Sequence, residues 1–450
     1  MYSGVMITLP EMIKSISEAV STFPDKRTGK NTQYTLADAA LGAFSVFFTQ
    51  SPSFLAHQKV MQQSLGVNNA SSLFGLIDIP SDNHIRDLLD QVEAERVFPV
   101  FDFCFDQLLK HSYINQFKQE SGELLIALDG TESFSSESIH CDSCLTKEHK
   151  KGVKTYSHSM LTPVIVSPEK NQVIPLFPEY ITPQDGDLKQ DCENKAAKRW
   201  LKGKGKLLLS KLTSFDSNLR VTVLGDDLYS RQPVMEDILK GGFNFILVGK
   251  EESHPYLYQW IKDLEEGEGE GQKQTITDKR WTGKFHEITT YKWANNVPFK
   301  DSAEPFLINW CEITITREET GKGLYHNTFV TRHKITKENV ADIVSFGRAR
   351  WKIENENNNT LKTKGYHLEH NFGHGKKHLS QLLASFTLLS FLIHTVMDLS
   401  DDLYHNLRGR LGSREAFFNA IKNLTIFMYF RDWSHSVSYT HLTLPTNREV

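Results

Sequence analysis

Three acidic residues stand where converging chemistry would need them. Asp129 closes the apolar run Leu124-Leu125-Ile126-Ala127-Leu128, Asp226 follows a second such run ending in Leu224-Gly225, and Glu354 lies in Arg350-Trp351-Lys352-Ile353-Glu354-Asn355-Glu356. Phosphoryl transfer by two metal ions needs hard oxygen ligands from separate elements, because ions about 4 Å apart clamp both the attacking and the leaving oxygen. Magnesium keeps several waters and asks for few carboxylates, so three acids suffice for it or for manganese. Each aspartate alone is also an ordinary turn former or helix cap. Asp227 adjoins Asp226, which sits in the better register, and Glu356 points about 200° away from Glu354 on an ideal helix. Arg350 offers a planar fork for two phosphate oxygens. Its alternative is an intrahelical ion pair with Glu354 one turn on.

A second constellation contains sulfur. Cys141-Asp142-Ser143-Cys144 has His140 beside it and His149 after it, and Cys192 follows downstream. Structural zinc takes four thiolate or imidazole ligands in a tetrahedron, which Cys141, Cys144, Cys192 and His149 (or His140) would supply. Reduced, partly buried thiols are the alternative. Basic residues that could meet phosphates cluster at Lys147, Lys150, Lys151 and Lys154, at Lys195, Lys198, Arg199, Lys202, Lys204 and Lys206, and at Lys362, Lys364, His374, Lys376, Lys377 and His378. Each run is equally readable as a solvated face. Trp281, Trp293 and Trp310 are candidates to stack on an unpaired base, or core residues.

The elements that must position these groups follow from periodicity. Helical spacing from about Ala37 to Leu109, punctuated at Ser51-Pro52 and Pro80-Ser81, predicts an all-helical N-terminal domain over 1–118 that either grips DNA or packs on its neighbour. Buried strands are expected at 124–128, 160–166, 172–178, 219–224 and 243–248, with helices at 191–201 and 232–239. Strands alternating with helices, with acids at two strand ends, predict an α/β sheet over 119–264 and 335–400 whose site lies at the carboxyl edge. Glu265 to Gly271 reads as an acidic loop. Thr, Ile, Val and aromatic residues alternating from Thr275 to His333 predict a β-rich insertion over 265–334. Helical spacing resumes at Val340, and Leu379 to Leu399 reads as a further helix.

At 450 residues, 39% hydrophobic and 24% charged, the chain has the composition of a globular protein of two or three units. No apolar run reaches the roughly 18 residues of a membrane span, and Leu382 to Met397, broken by Ser385, Ser390 and His394, reads as a buried helix. The beginning carries no secretory pattern and the five cysteines fit a reducing compartment, so the bacterial cytoplasm or nucleoid is expected and no membrane partner. A net charge of −4 leaves DNA binding to a local basic face.

With these residues in place, the stretch from Glu123 to Leu399 resembles insertion-sequence transposases of the Asp-Asp-Glu type, which have a ribonuclease H-like core. Ala127-Leu128-Asp129-Gly130-Thr131 and Leu224-Gly225-Asp226-Asp227 match the family's two aspartate-bearing strand ends. Arg350-Trp351-Lys352-Ile353-Glu354 matches its arginine four residues before a catalytic glutamate. Gly347 and Leu361 stand where the family has a tyrosine and a lysine, with Phe346 and Lys362 one step away. The resemblance implies a ribonuclease H-like mixed sheet flanked by helices, the all-β insertion of the subgroup that cuts through a DNA hairpin, and a homodimer pairing two transposon ends. It implies catalysis by Asp129, Asp226 and Glu354 with magnesium, hydrolysis at the transposon end and strand transfer by the freed 3′-hydroxyl. Arg350, Lys362, Lys364, Trp293 and Trp310 become the expected DNA contacts. Residues 401–436 read as a shortened C-terminal helical segment. Val437 to Val450 resembles read-through of a sequencing adaptor and is expected to add no regular element.

Overall fold

The computed structural model describes residues 7–28, 32–62, 68–76, 78–150, 152–185, 190–266 and 273–443. Six helices come first: α1 (Leu9–Ser21), α2 (Leu36–Phe48), α3 (Phe54–Gln62), α4 (Asn69–Phe74), α5 (Asp82–Leu89) and α6 (Phe98–Lys110). The sheets begin with β1 (Glu123–Ala127), β2 (Gly130–Ser136), β3 (Leu145–Glu148), β4 (Lys154–Leu161), β5 (Val164–Val166), β6 (Ile174–Pro175) and β7 (Glu179–Ile181). Then follow α7 (Glu193–Trp200), a π-turn at Leu201–Gly205, α8 (Lys206–Phe215), β8 (Arg220–Gly225), α9 (Gln232–Lys240), β9 (Asn244–Val248) and α10 (Pro255–Glu266). A meander of β10 (Gln274–Trp281), β11 (His286–Pro298), β12 (Leu307–Arg317) and β13 (Gly323–Thr331) leads to α11 (Val340–Arg348), a π-segment at Ile353–Asn358, and α12 (Asn359–Thr363). The chain finishes with α13 (Leu379–Ser400), α14 (Asp402–Leu411), α15 (Arg414–Thr425) and α16 (Trp433–Thr443).

Strand β1 is buried at every position, and it lies parallel to β8, which lies parallel to β9. Strands covered on both faces need continuous apolar sequence, which is why these segments read as strands from composition alone. Parallel alignment sends their carboxyl ends to one edge: Ala127 pairs with Leu224 and Gly225 with Leu247, so Asp129 and Asp226 leave the sheet side by side. On the other flank of β1, β5 runs antiparallel to it and β6 antiparallel to β5, while the strand expected over 160–166 divides, its first two residues ending β4 of another sheet.

The β-rich insertion is no separate layer. Its last strand, β13, pairs antiparallel with β9 through Phe329 opposite Val248, so all nine strands form one sheet in the order β10-β11-β12-β13-β9-β8-β1-β5-β6. Strand β9 would otherwise present a bare edge, and β13 covers it. A second sheet, β2-β4-β3 with β7 on β4, grows from the end of β1. Its Ser- and Thr-rich β2, Gly-Thr-Glu-Ser-Phe-Ser-Ser, alternates in burial too weakly to be read as a strand.

The helices of 1–118 do not close on themselves. Helix α13 is long and apolar enough to cross a bilayer, but 94% of its apolar window is buried inside the protein. It packs on α2 and α6 on one side and on β6 on the other, within one continuous hydrophobic core. Trp433 Nε1 donates to the Leu73 carbonyl, and Asn69 bonds the backbone of Thr425, Met428 and Phe430, joining the last helices to the first. The stretch from Val437 differs from expectation: Val437 is buried and α16 continues to Thr443, while 444–450 lie outside the described residues. Of the acidic stretch read as a loop, Glu265 and Glu266 end α10 and the rest lies outside the described residues.

Candidate active site at the carboxyl edge

The sheet delivers Asp129 and Asp226, and the helical segment 351–363 brings Glu354 to them. The π-segment Ile353–Asn358 carries both Glu354, exposed, and Asn358, buried. Widened single turns of this kind recur at functional sites. Asn358 Nδ2 donates to Asp129 Oδ2 at 2.9 Å, and Thr162 Oγ1 donates to Asn358 Oδ1 at 2.9 Å, so the glutamate's helix is hydrogen-bonded to the first aspartate.

A fourth acid joins them. Glu193, the first residue of α7, accepts the Gly130 N–H at 3.0 Å and the Tyr229 hydroxyl at 2.5 Å through Oε1. A Cβ on residue 130 would collide with the Glu193 carboxylate, so glycine after Asp129 is what lets Glu193 in. Burial, then the charges of Glu193, Glu354 and Asp226, push Asp129 from the usual 3.8 up to about 7, against the opposing charge of Arg350. Glu193 is raised too, by burial and then by Asp226, with its hydrogen bonds from Tyr229 and Gly130 opposing. Carboxylates that raise one another's proton affinity form a site that favours protons or cations.

Asp226 and Asp227 separate by role. Asp226 Oδ1 caps the turn by accepting the Leu228 N–H at 2.8 Å, and its charge acts on Asp129 and Glu193. Asp227 turns instead to the Lys250 N–H at 2.9 Å, the Ser253 hydroxyl and His254 Nε2 at 3.3 Å, which are structural partners. Glu356 lines a polar cavity of about 540 Å³ with Lys170, Lys364 and Arg408. Arg350 makes the intrahelical pair, its Nη1 2.5 Å from Glu354 Oε1. No three of the carboxylates among the described residues bring oxygens within 4.8 Å of one another, so the set is more open than one ion would draw it.

Several expected contacts are corrected. Trp293 and Trp310 are 2% and 1% exposed, so neither is available to stack on a base; Trp281, at the end of β10, is 56% exposed. Period-two alternation places a tryptophan on a face without saying which face is covered. Lys362 Nζ is 2.8 Å from Glu369 Oε1. The run from Lys195 is largely neutralised: Lys198 pairs with Asp237 at 3.2 Å, Arg199 with Asp191 at 2.8 Å and Glu179 at 3.0 Å, and Lys204 with Glu179 at 2.8 Å. Lys147, Lys150 and Lys154 are exposed around the β3–β4 hairpin, as are Lys376 and Lys377 before α13; Lys151 lies outside the described residues. Gly347 has a reason of its own: a Cβ there would stand 2.6 Å from the Phe329 ring, which leaves no room for tyrosine.

The sulfur constellation also forms with different partners. Cys141, Cys144, His158 and His374 bring their ligand atoms within 4.8 Å of one another. Cys192 is exposed at the start of α7, His149 bonds the Thr155 hydroxyl at 2.8 Å, and His140 packs on the Tyr156 ring. His374 lies 230 residues from Cys144 and leaves no spacing to recognise, whereas His158, 14 residues beyond Cys144, stands at a Cys-x-x-Cys…His spacing that could have marked it.

No model of a known protein family matches this chain, and no curated protein matches it either.

Proposed function

We propose that this protein is a DNA transposase of the Asp-Asp-Glu type, built on a ribonuclease H-like core and working with magnesium or manganese on DNA in the cytoplasm. The observation that supports this most is the joining of Asp129, Asp226 and Glu354 at one sheet edge, where their charges act on one another. An all-oxygen set of acids, one lifted to about 7 by burial and by its acidic neighbours, suits hard divalent cations. Bound magnesium would lower the pKa of a water and neutralise charge on the phosphate.

The chain's own residues then have defined tasks. Asp129, fixed through Oδ2 by Asn358, and Asp226, fixed through Oδ1 by the turn, present ligands from two adjacent strands. Glu354 closes the set from its helix. Arg350 is in reach of both the acids and an arriving phosphodiester, and a phosphate can replace Glu354 as its partner. Exposed Lys147, Lys150, Lys154, Lys376 and Lys377 supply local attraction for the backbone that a chain of net charge −4 lacks as a whole. Trp281 takes over the stacking role first given to Trp293 and Trp310.

The test uses labelled duplexes from the DNA flanking the coding sequence, ending in a free 3′-hydroxyl, incubated with plasmid and magnesium. Joining of label to plasmid supports the transposase. Cleavage without joining would make the protein a stand-alone nuclease, and DNA binding with neither reaction a non-catalytic relic of a mobile element.

A further inference from the structure

Helices and sheets meet at the Cys141, Cys144, His158 and His374 cluster, and its geometry is specific. The two sulfurs are 3.8 Å apart, far beyond a disulfide, and His158 Nε2 is 3.5 Å from each of them. His374 Nε2 is 3.6 Å from the Cys144 sulfur. Bond lengths of about 2.3 Å to sulfur and about 2.0–2.1 Å to nitrogen around a tetrahedral ion predict sulfur–sulfur separations of about 3.8 Å and sulfur–nitrogen separations of about 3.6 Å. Those are the separations observed. We infer that these four side chains bind one structural zinc ion, which latches the segment 364–378 onto the sheet that grows from Asp129.

The surroundings suit a closed site. Cys144, His158 and His374 are buried and Cys141 half-buried, so four protein ligands fill the tetrahedron with little room for a water. Two thiolates with two imidazoles select zinc over magnesium, which prefers oxygen. The Cys141 N–H donates to the Cys144 sulfur at 3.4 Å, which holds the two cysteines together in the turn. Ring packing orients the imidazoles: His374 packs at a tilt against Phe134 at 4.4 Å and against His158 at 4.9 Å between centroids. Binding releases the two thiol protons to solvent.

What the ion joins gives the site its consequence. His158 lies on β4 opposite Phe134 of β2, the strand that begins one residue after Asp129. His374 lies in the segment between α12, which continues the helix of Glu354, and α13. That segment is also held by the N-terminal helices: Arg86 Nε donates to the Phe372 carbonyl at 2.8 Å, and Asp90 accepts the N–H groups of Lys376, Lys377, His378 and Leu379. Gly375, at φ +69°, lies so close to Asp90 that a Cβ would strike its carboxylate. Zinc therefore completes a junction of three parts of the chain, independently of which reaction the acids catalyse.

The experiment is metal analysis of full-length protein purified from zinc-supplemented cells, followed by cobalt exchange. About one zinc per chain is expected, lost in Cys144→Ser and in His374→Ala and retained in Cys192→Ser and His149→Ala. Cobalt in the wild type should show the intense visible bands of a tetrahedral thiolate site, and His374→Cys, which keeps four ligands, should bind with an altered spectrum. Chelation should speed proteolysis within 364–378 without unfolding the whole. If folded wild type takes up zinc or cobalt only substoichiometrically, or if Cys144→Ser and His374→Ala keep their zinc, the inference fails.

Discussion

Asp129 is central to the proposed chemistry, and its environment predicts that neutralising its charge stabilises the metal-free fold. Its folded value of about 7 lies above the ordinary 3.8, so the fold disfavours the ionised form. The resulting destabilisation is absent below about pH 4, where the carboxyl is protonated in both states, and complete above about pH 7. Metal-free Asp129→Asn should therefore melt roughly 2–4 °C higher than wild type at about pH 8 and equal to it at about pH 4, by calorimetry. Magnesium should raise the melting temperature of the wild type and leave that of the variant unchanged, and a variant less stable than wild type at high pH would contradict the charge crowding. Asp129, Asp226 and Glu354 are legible in the sequence because apolar runs and an arginine one turn away mark them. Glu193 is not: an acid at the first turn of a helix is ordinary, and only folding shows that Gly130 and Tyr229 hold it against Asp129. His374 escapes as a metal ligand for a related reason, since it lies 230 residues from Cys144, whereas His158, 14 residues beyond Cys144, is within range of a local pattern.

Among the elements, β1, β8 and β9 read correctly from their apolar runs, whereas the run expected as one strand over 160–166 divides between β4 and β5, and the polar β2 carries no clear strand signal. The β10–β13 meander has an evident period of two, but nothing in that period says that β13 will continue the main sheet through β9. Its tryptophans follow from the same geometry. Trp310 is 1% exposed and packs edge-on against Tyr258 at 6.2 Å, so Trp310→Ala should cost about 3–5 kcal/mol in urea unfolding. Trp281→Ala, at an exposed position, should change stability by less than about 0.5 kcal/mol and alter DNA cleavage products instead. Equal destabilisation by both would remove the distinction between core and surface. The π-segment makes a prediction of its own kind. Asn358→Ala removes a donor to Asp129 and an acceptor for Thr162, so activity should fall by about tenfold or more while DNA affinity, read by gel shift, stays unchanged. A parallel fall in DNA affinity would make Asn358 a binding residue.

At the scale of the whole molecule, helices from both sides of residue 118 share one hydrophobic core around α13. Periodicity marks α13 and the helices expected at 191–201 and 232–239 but not α8 or α10, and the partners of a helix that is apolar all round are set by tertiary packing. Asp90 shows the dependence in one residue, because it caps α13 from the far end of the chain; Asp90→Ala should lower stability by about 1–2 kcal/mol and loosen the segment holding His374. If the protein is the proposed transposase, DNA should in turn bring two copies together, because two transposon ends would be cut in concert, and light scattering of the complex with a duplex end should give a dimer mass. The central element of the proposed function is metal-dependent cutting of DNA by one acidic site. Nicking of supercoiled plasmid tests it most directly, comparing wild type with Asp129→Asn, Asp226→Asn and Glu354→Gln in magnesium, in manganese and in EDTA. The account predicts nicking that needs the metal and disappears in all three variants. Folded wild-type protein that binds DNA yet nicks nothing in either metal, or nicking that survives in any of the three variants, would contradict it.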